Sequence, residues 1–372
     1  MLLISALSSC SIAKDQKKQE SEVLDFKSIE FSETLPVTYA RYFSIKRSGD
    51  CNYSLVSIQG EKNIIIIEEN KQIPANIPSD YVVLQKPLNK TYLVSSSVMD
   101  FLLKLDVLDR VKFSGTKKEN WYLDEAVSAM EKGSLVYAGK YSAPDYELLY
   151  SNKTDLSIQN TMIYHKPEVK EKLEQLGIPV LVEKSSYEKN PLGKIEWIKL
   201  YGLLFDREKE AFEFFNSKIQ DFSALKSPEH TDKTIAFFYV TSNGTVSVRK
   251  PGDYIANSIQ MAGGNYFLES SSLEEENALS SMIMQSEDFY LKGRNADILV
   301  YNSTIDGMIT EKSLLLAKYP MIKDFSAFKN NKIYCTDKKF FQETSGAVDF
   351  MADLNKILKN EDNDLKYLVK IQ

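Results

Sequence analysis

The chain has 372 residues, 43% of them hydrophobic and 26% charged, with a formal net charge of -6. This is globular composition with enough apolar material for two domains. The acidic balance, with no basic face interleaved with aromatics, argues against a nucleic-acid partner. Three cysteines (Cys10, Cys51, Cys335) and two histidines (His165, His230) lie too far apart for a zinc motif, a CxxC pair or a histidine-rich metal cage. No apolar run nears the roughly 20 residues that a membrane-spanning helix needs. The basic residues are mostly Lys, which read as solvated surface.

The chain opens on MLLISALSSC and then turns abruptly to Lys, Asp, Gln and Glu. The apolar stretch fits the end of a secretory signal peptide. Leu7-Ser8-Ser9-Cys10 resembles the lipobox of bacterial lipoproteins, in which the cysteine accepts the lipid, although no Lys or Arg precedes it. Residues 11–22 fit a flexible polar tether. Between 37 and 69, FSIKR, YSLVSI and NIIIIEE predict antiparallel strands, with SGD (48–50) as a turn. YVVLQKP (81–87) predicts a buried strand stopped by Pro87. SSSVMDFLLKLDVLDR predicts a helix with a Ser N-cap, and LDEAVSAMEKG a helix closed by Gly133. In PEVKEKLEQLGIPVLVEK a helix ends at Gly177 and a β-branched strand, Val180–Val182, follows; this implies a covered parallel sheet.

Residues 195–222 place Trp197, Tyr201, Leu204, Ala211, Phe215 and Phe222 on a helical stripe, with Asp206 re-capping the second of two helices. After the polar break SALKSPEHTDK, TIAFFYV (234–240) opens a second lobe. That lobe continues through the YIANSIQMAGG helix, strands in ADILVYN and KIYCTD, and the closing helix AVDFMADLNKILKN. YELLYSNKTDLSIQN (146–160) and SEDFYLKGRNADILVYN (286–302) echo each other: Glu, a short helix, Asp, then a short strand ending in Asn. The fold class read from this is α/β: two lobes joined by one long helix, with extra N-terminal strands. The expected division is 1–10 signal end, 11–30 tether, 31–190 N-terminal lobe, 191–225 interlobe helical segment and 226–372 C-terminal lobe. A ligand would sit between the lobes, at the C-terminal ends of strands.

No catalytic frame stands out. GxSxG, GxxxxGK[ST] and GxGxxG are absent, and MAGGNYF follows a helix rather than a strand. The expectation is a protein that is not an enzyme and holds no resident cofactor. Aromatics at loops after strands (Trp121, Tyr122, Tyr141, Tyr164, Tyr301) suit a large planar ligand, or else ordinary packing. Arg249 and Lys250, in TVSVRKPGDY, suit an anionic group, or else form a solvated turn. Glu147 and Glu287 lead the two echoed segments and are expected to be exposed.

Seven segments in this order resemble the iron-chelate/vitamin B12 substrate-binding lipoproteins of bacterial ABC importers: LKLDVLDRVKFSG, GKYSAPDYELLYSNKTDLSI, LEQLGIPVLVE, PLGKIEWIKLYGLLFDREKEA, VRKPGDYIANSIQMAGGNYF, NADILVY and NNKIYCTD. The resemblance spans about residues 80 to 360, and the strands at 37–69 are an addition to it. It implies two Rossmann-like lobes on a rigid interlobe helix. It implies that Glu147 and Glu287 dock on the two halves of a permease dimer. It also implies a monomer that is exported and lipid-anchored through Cys10. The ligand it implies is a bulky metal chelate: a ferric siderophore first, with cobalamin and then haem behind it. A non-transport surface lipoprotein and an enzyme on the same scaffold are the readings from other classes. Cys51 and Cys335 fall in different lobes, where a covalent clamp would oppose ligand exchange, so both are expected as free thiols.

Overall fold

A computed structural model describes residues 23–225, 230–269, 281–305 and 307–372. Cys10 and residues 11–22 lie outside the described residues. Three sheets carry the fold. The first holds β1 (Glu33–Thr34), β2 (Phe43–Arg47), β3 (Tyr53–Ile58), β4 (Asn63–Ile67) and β5 (Tyr81–Gln85), in that order. β1 to β4 are antiparallel, and β5 joins β4 in parallel. YVVLQ is therefore the half-buried edge of this sheet rather than the buried strand expected. The stretch from Leu24, expected as part of the tether, is instead packed in the fold. Leu24, Phe26 and Ile29 pack on the outer face of the sheet, and the Phe26 N–H donates to Ala75 O at 2.9 Å. Their apolar side chains bury more favourably than a solvated linker would allow.

The second sheet is wholly parallel. It is built from β6 (Thr91–Leu93), α1 (Ser96–Lys104), β7 (Val111–Ser114), α2 (Asp124–Glu131), β8 (Val136–Tyr137), the small hairpin β9 (Gly139–Lys140) and β10 (Ala143–Pro144), α3 (Tyr146–Ser151), β11 (Leu156–Gln159), α4 (Pro167–Gln175) and β12 (Val180–Val182). Its strand order β8-β7-β6-β11-β12 is a doubly wound pattern whose order reverses between β6 and β11. Gly177, at φ 76°, ends α4 in the left-handed conformation that glycine adopts without strain, and the Ile178 N–H returns to Leu173 O at 3.0 Å.

The connection is three helices rather than one: α5 (Pro191–Glu196), α6 (Ile198–Leu204) and α7 (Glu208–Ala224). Asp206, at φ 58°, terminates α6 in the left-handed region instead of capping α7, whose cap position is Arg207. The third sheet belongs to the second lobe. It comprises β13 (Thr234–Val240), β14 (Val246–Arg249), α8 (Tyr254–Met261), β15 (Asn265–Tyr266), β16 (Ser281–Met284), α9 (Ser286–Gly293), β17 (Ile298–Tyr301), α10 (Lys312–Lys318), α11 (Ser326–Lys329), β18 (Ile333–Thr336), α12 (Ala347–Leu358) and β19 (Leu368–Lys370). β13, β17 and β18 are parallel, while β14, β16 and β19 extend the edges antiparallel.

The two lobes repeat one detail closely. α3 leads into β11, which pairs in parallel with β6, the first strand of its sheet; α9 leads into β17, which pairs in parallel with β13. The Asp of each echoed segment receives backbone N–H groups from the start of that first strand. Asp155 accepts from Asn89 and Lys90 at 2.6 and 2.8 Å, and Asp297 accepts from Thr234 at 2.8 Å. Cys51 is exposed and Cys335 buried, both as free thiols.

Candidate functional site: the seam between the lobes

Loops leaving the C-terminal ends of strands in the two lobes meet along a seam. After β18, the Gln342 side chain accepts from the Tyr122 N–H at 2.9 Å and donates to Asn120 O at 2.8 Å, both in the loop after β7. The Thr344 hydroxyl donates to Ser97 O, and the Ser345 N–H donates to Asp100 in α1 at 2.7 Å. Asn257 of α8 donates to Lys189 O, in the loop after β12.

A buried charge cluster lies beside them. Ser95 occupies the N-cap position of α1 but makes no capping bond. Its hydroxyl donates instead to Glu183, just past β12, at 3.1 Å; the Ser185 N–H donates to the same carboxylate at 2.6 Å. Burial raises the Glu183 carboxyl above the usual range. Lys194 projects from α5 with its ammonium 4.0 Å from the centre of the Tyr254 ring in the second lobe. Burial pushes its pKa down to about 8, against the attraction of Glu183 and Asp253. Asp253 caps α8 through the Ile255 N–H at 2.9 Å, and burial raises its carboxyl. Arg249 approaches Asp253 at 3.9 Å and lies between two rings, 5.3 Å from Phe341 and 6.0 Å from Tyr254. Across the seam, Lys338 of the second lobe stands 5.5 Å over the Tyr122 ring of the first. Cations on aromatic faces at such a seam can receive an anionic group on a bulky ligand.

The expected site residues are only partly brought together. Tyr122 and Arg249 stand at the seam, and Lys250 is half-buried in the turn that leads into α8. Trp121 does not present its ring: it is 4% exposed and its indole N–H donates to Ser114 Oγ at 3.2 Å. Tyr301 is fully buried and packs edge-on against Phe238, because all four residues of β17 are buried in a sheet covered on both faces. Tyr141 packs half-buried on the first lobe's core. Tyr164 is exposed, bonds Glu61 in the β3–β4 turn, and lies under the Lys184 ammonium at 5.4 Å. Glu147 and Glu287 are both exposed, each at the second position of its helix. His165 and His230 are exposed, and among the described residues no group of His, Cys, Asp or Glu is arranged to hold a metal ion.

Sequence reasoning missed Glu183, Lys194, Asp253 and Gln342. It also read the lysines as solvated, yet Lys86, Lys184, Lys194 and Lys199 are all buried. The signal was present in PLGKIEWIKLYGLLF, where Lys194, Glu196 and Lys199 interrupt an otherwise apolar run. Every residue from 191 to 204 is buried, so those charges have to be paired inside.

The family profile of the periplasmic binding proteins matches residues 93–340. An uncharacterised protein of Methanocaldococcus jannaschii is 24% identical over 353 residues, covering 91% of this chain and 99% of that protein. An uncharacterised lipoprotein of the same organism is 23% identical, covering 90% of this chain and 87% of that one. The solved structure of an ABC-type Fe3+-hydroxamate transport system from Saccharomonospora viridis shares the fold. Its TM-score is 0.58 at 20% identity, over 74% of this chain and 95% of that one. The family consists of exported substrate-binding proteins rather than enzymes, and among the described residues no helix is long and apolar enough to cross a membrane. With its match running over more than half of the chain, and with the two-lobe α/β fold the resemblance implied, the chain belongs to the periplasmic binding protein family.

Proposed function

We propose that this protein is the substrate-binding lipoprotein of an ABC importer. It captures a ferric siderophore between its lobes and delivers it to a permease dimer, held at the membrane by a lipid on Cys10. The observation that carries the ligand reading is a pair of cation–aromatic contacts at the seam, Arg249 on Phe341 within the second lobe and Lys338 of that lobe on Tyr122 of the first. A ferric chelate with net negative charge and planar chelating groups matches both features. Cobalamin offers aromatic-compatible surface without the same need for cations. Haem calls for an axial ligand, and neither exposed histidine is tied to the seam.

Delivery rests on Glu147 and Glu287. They occupy matching places in the two lobes, each on the helix before the strand that pairs with the lobe's first strand. Two exposed carboxylates so related fit a two-fold symmetric partner with cationic pockets, where they fix register and steer encounter more than they add affinity.

Titration calorimetry of the chain from Ser11 onward, against ferric hydroxamate, catecholate and citrate chelates, cobalamin and haem, tests the ligand. Saturable binding of a ferric chelate, weakened at least tenfold by Arg249→Ala, is the expected result. Binding of cobalamin or haem alone, or of none of these, overturns the siderophore reading.

A further inference from the structure

We infer that the N-terminal sheet is a splint for the connection between the lobes: it grips that connection along its length and limits how far the lobes can swing apart. The inference stands apart from the identity of the ligand.

The last strand of the first lobe ends at Val182 and the first strand of the second begins at Thr234, so any hinge lies between them. Hinges work by letting a few residues change φ and ψ. The N-terminal sheet and its flanks hold this stretch at successive points. At the near end, Lys184 donates to Gln59 O and pairs with Glu61 at 3.5 Å. Glu188 accepts the Arg41 and Tyr42 N–H groups at 2.9 to 3.1 Å. Glu196, fully buried in α5, accepts the Thr38, Tyr39 and Ala40 N–H groups at 2.6 to 3.0 Å. At the far end, Lys86 pairs with Asp206 at 2.8 Å, and Arg47 pairs with Glu208.

Charge-assisted bonds to consecutive backbone amides are directional, and buried ones are costly to leave unmade. Gly193 shows how close the contact is: a Cβ there would lie 2.7 Å from Tyr39 O, backbone against backbone. Glycine inside a helix is destabilising relative to alanine, and this close approach accounts for it. The opposite side of α5 presents Lys194 to the second lobe, so a fixed α5 also fixes that contact.

The test places spin labels at Tyr150→Cys and Leu291→Cys, which are 61% and 64% exposed in the two lobes. The background is Cys10→Ser and Cys51→Ser, with buried Cys335 kept. Gly193→Ala and Glu196→Gln, singly and combined, release the grip. Faster amide exchange at residues 38–42 reports that release independently of the labels. The expected result is a narrow distance distribution in the parent, and a broader one with a longer component in each released variant. A released variant with an unchanged distribution overturns the inference, and so does a parent distribution already as broad as the variants'. Should these variants fail to melt cooperatively, Lys86→Met combined with Arg47→Met frees the far end alone and is read the same way.

Discussion

The two sides of α5 handle buried charge in opposite ways. Toward the N-terminal sheet, Glu196 is saturated: it accepts three backbone N–H groups, and the Lys199 ammonium lies 2.7 Å away. Toward the second lobe, Lys194 rests against a ring face and is drawn by Glu183 and Asp253, with burial working against its charge. A saturated buried ion is a fixture, since no rearrangement improves it. An unsaturated one is poised, since ligand or pH can change its balance. The difference separates a joint built to stay from one able to respond.

Substitution on the saturated side gives the largest expected effect. Glu196→Ala strands three amides and an ammonium, and should cost about 3–5 kcal/mol by urea denaturation. A cost below about 1 kcal/mol would erase the contrast. On the poised side the reading is in pH. Folded Lys194 gives up its proton near pH 8, whereas in the unfolded chain it keeps it to about 10.5. Between those values the unfolded chain binds more protons, so stability rises with pH. From pH 7.5 to 9.5 the gain attributable to this group is about 1–2 kcal/mol. Lys194→Met should remove it, and an equal rise in that variant would show that another group titrates. Gln342→Ala, which breaks the two bonds across the seam, should cost about 1 kcal/mol each way it is measured, by heat or by urea. The smallest effect sharpens the comparison from outside: Glu147→Gln with Glu287→Gln should leave stability within about 0.5 kcal/mol while abolishing uptake in cells. Unchanged uptake would detach these residues from delivery.

Much of the architecture was legible because strand and helix periods are local. The run around Val180–Val182 announced a covered parallel strand, and the echo between 146–160 and 286–302 fell on matching places in two sheets. The same local signal misled at the site. A Tyr at the end of a strand reads as loop-facing, yet Tyr301 is the last residue of a strand buried on both faces. Trp121 does sit in a loop after a strand, but its indole turns inward to Ser114. The burial of Lys194 and Lys199 could be read from the apolar run around them, but the partners of that charge cluster were illegible for a different reason. The backbone partners of Glu196 are 156 to 158 residues away, and no window of sequence holds both halves of such a contact. The role of the N-terminal strands was hidden likewise, since their hydrogen-bond acceptors belong to α5 and the loop before it.

The placement of the two tryptophans has an optical consequence. Both indoles are buried, but their N–H groups meet different acceptors: a neutral hydroxyl, Ser114, for Trp121, and a carboxylate, Glu188, at 2.9 Å for Trp197. Glu188 also receives the Arg41 and Tyr42 amides, so any loosening there changes the electric field at one chromophore and leaves the other alone. A Trp121→Phe chain would therefore emit only from the interlobe connection, and a Trp197→Phe chain only from the first lobe's rim. The molecule carries two colours of intrinsic reporter, one for its joint and one for its mouth.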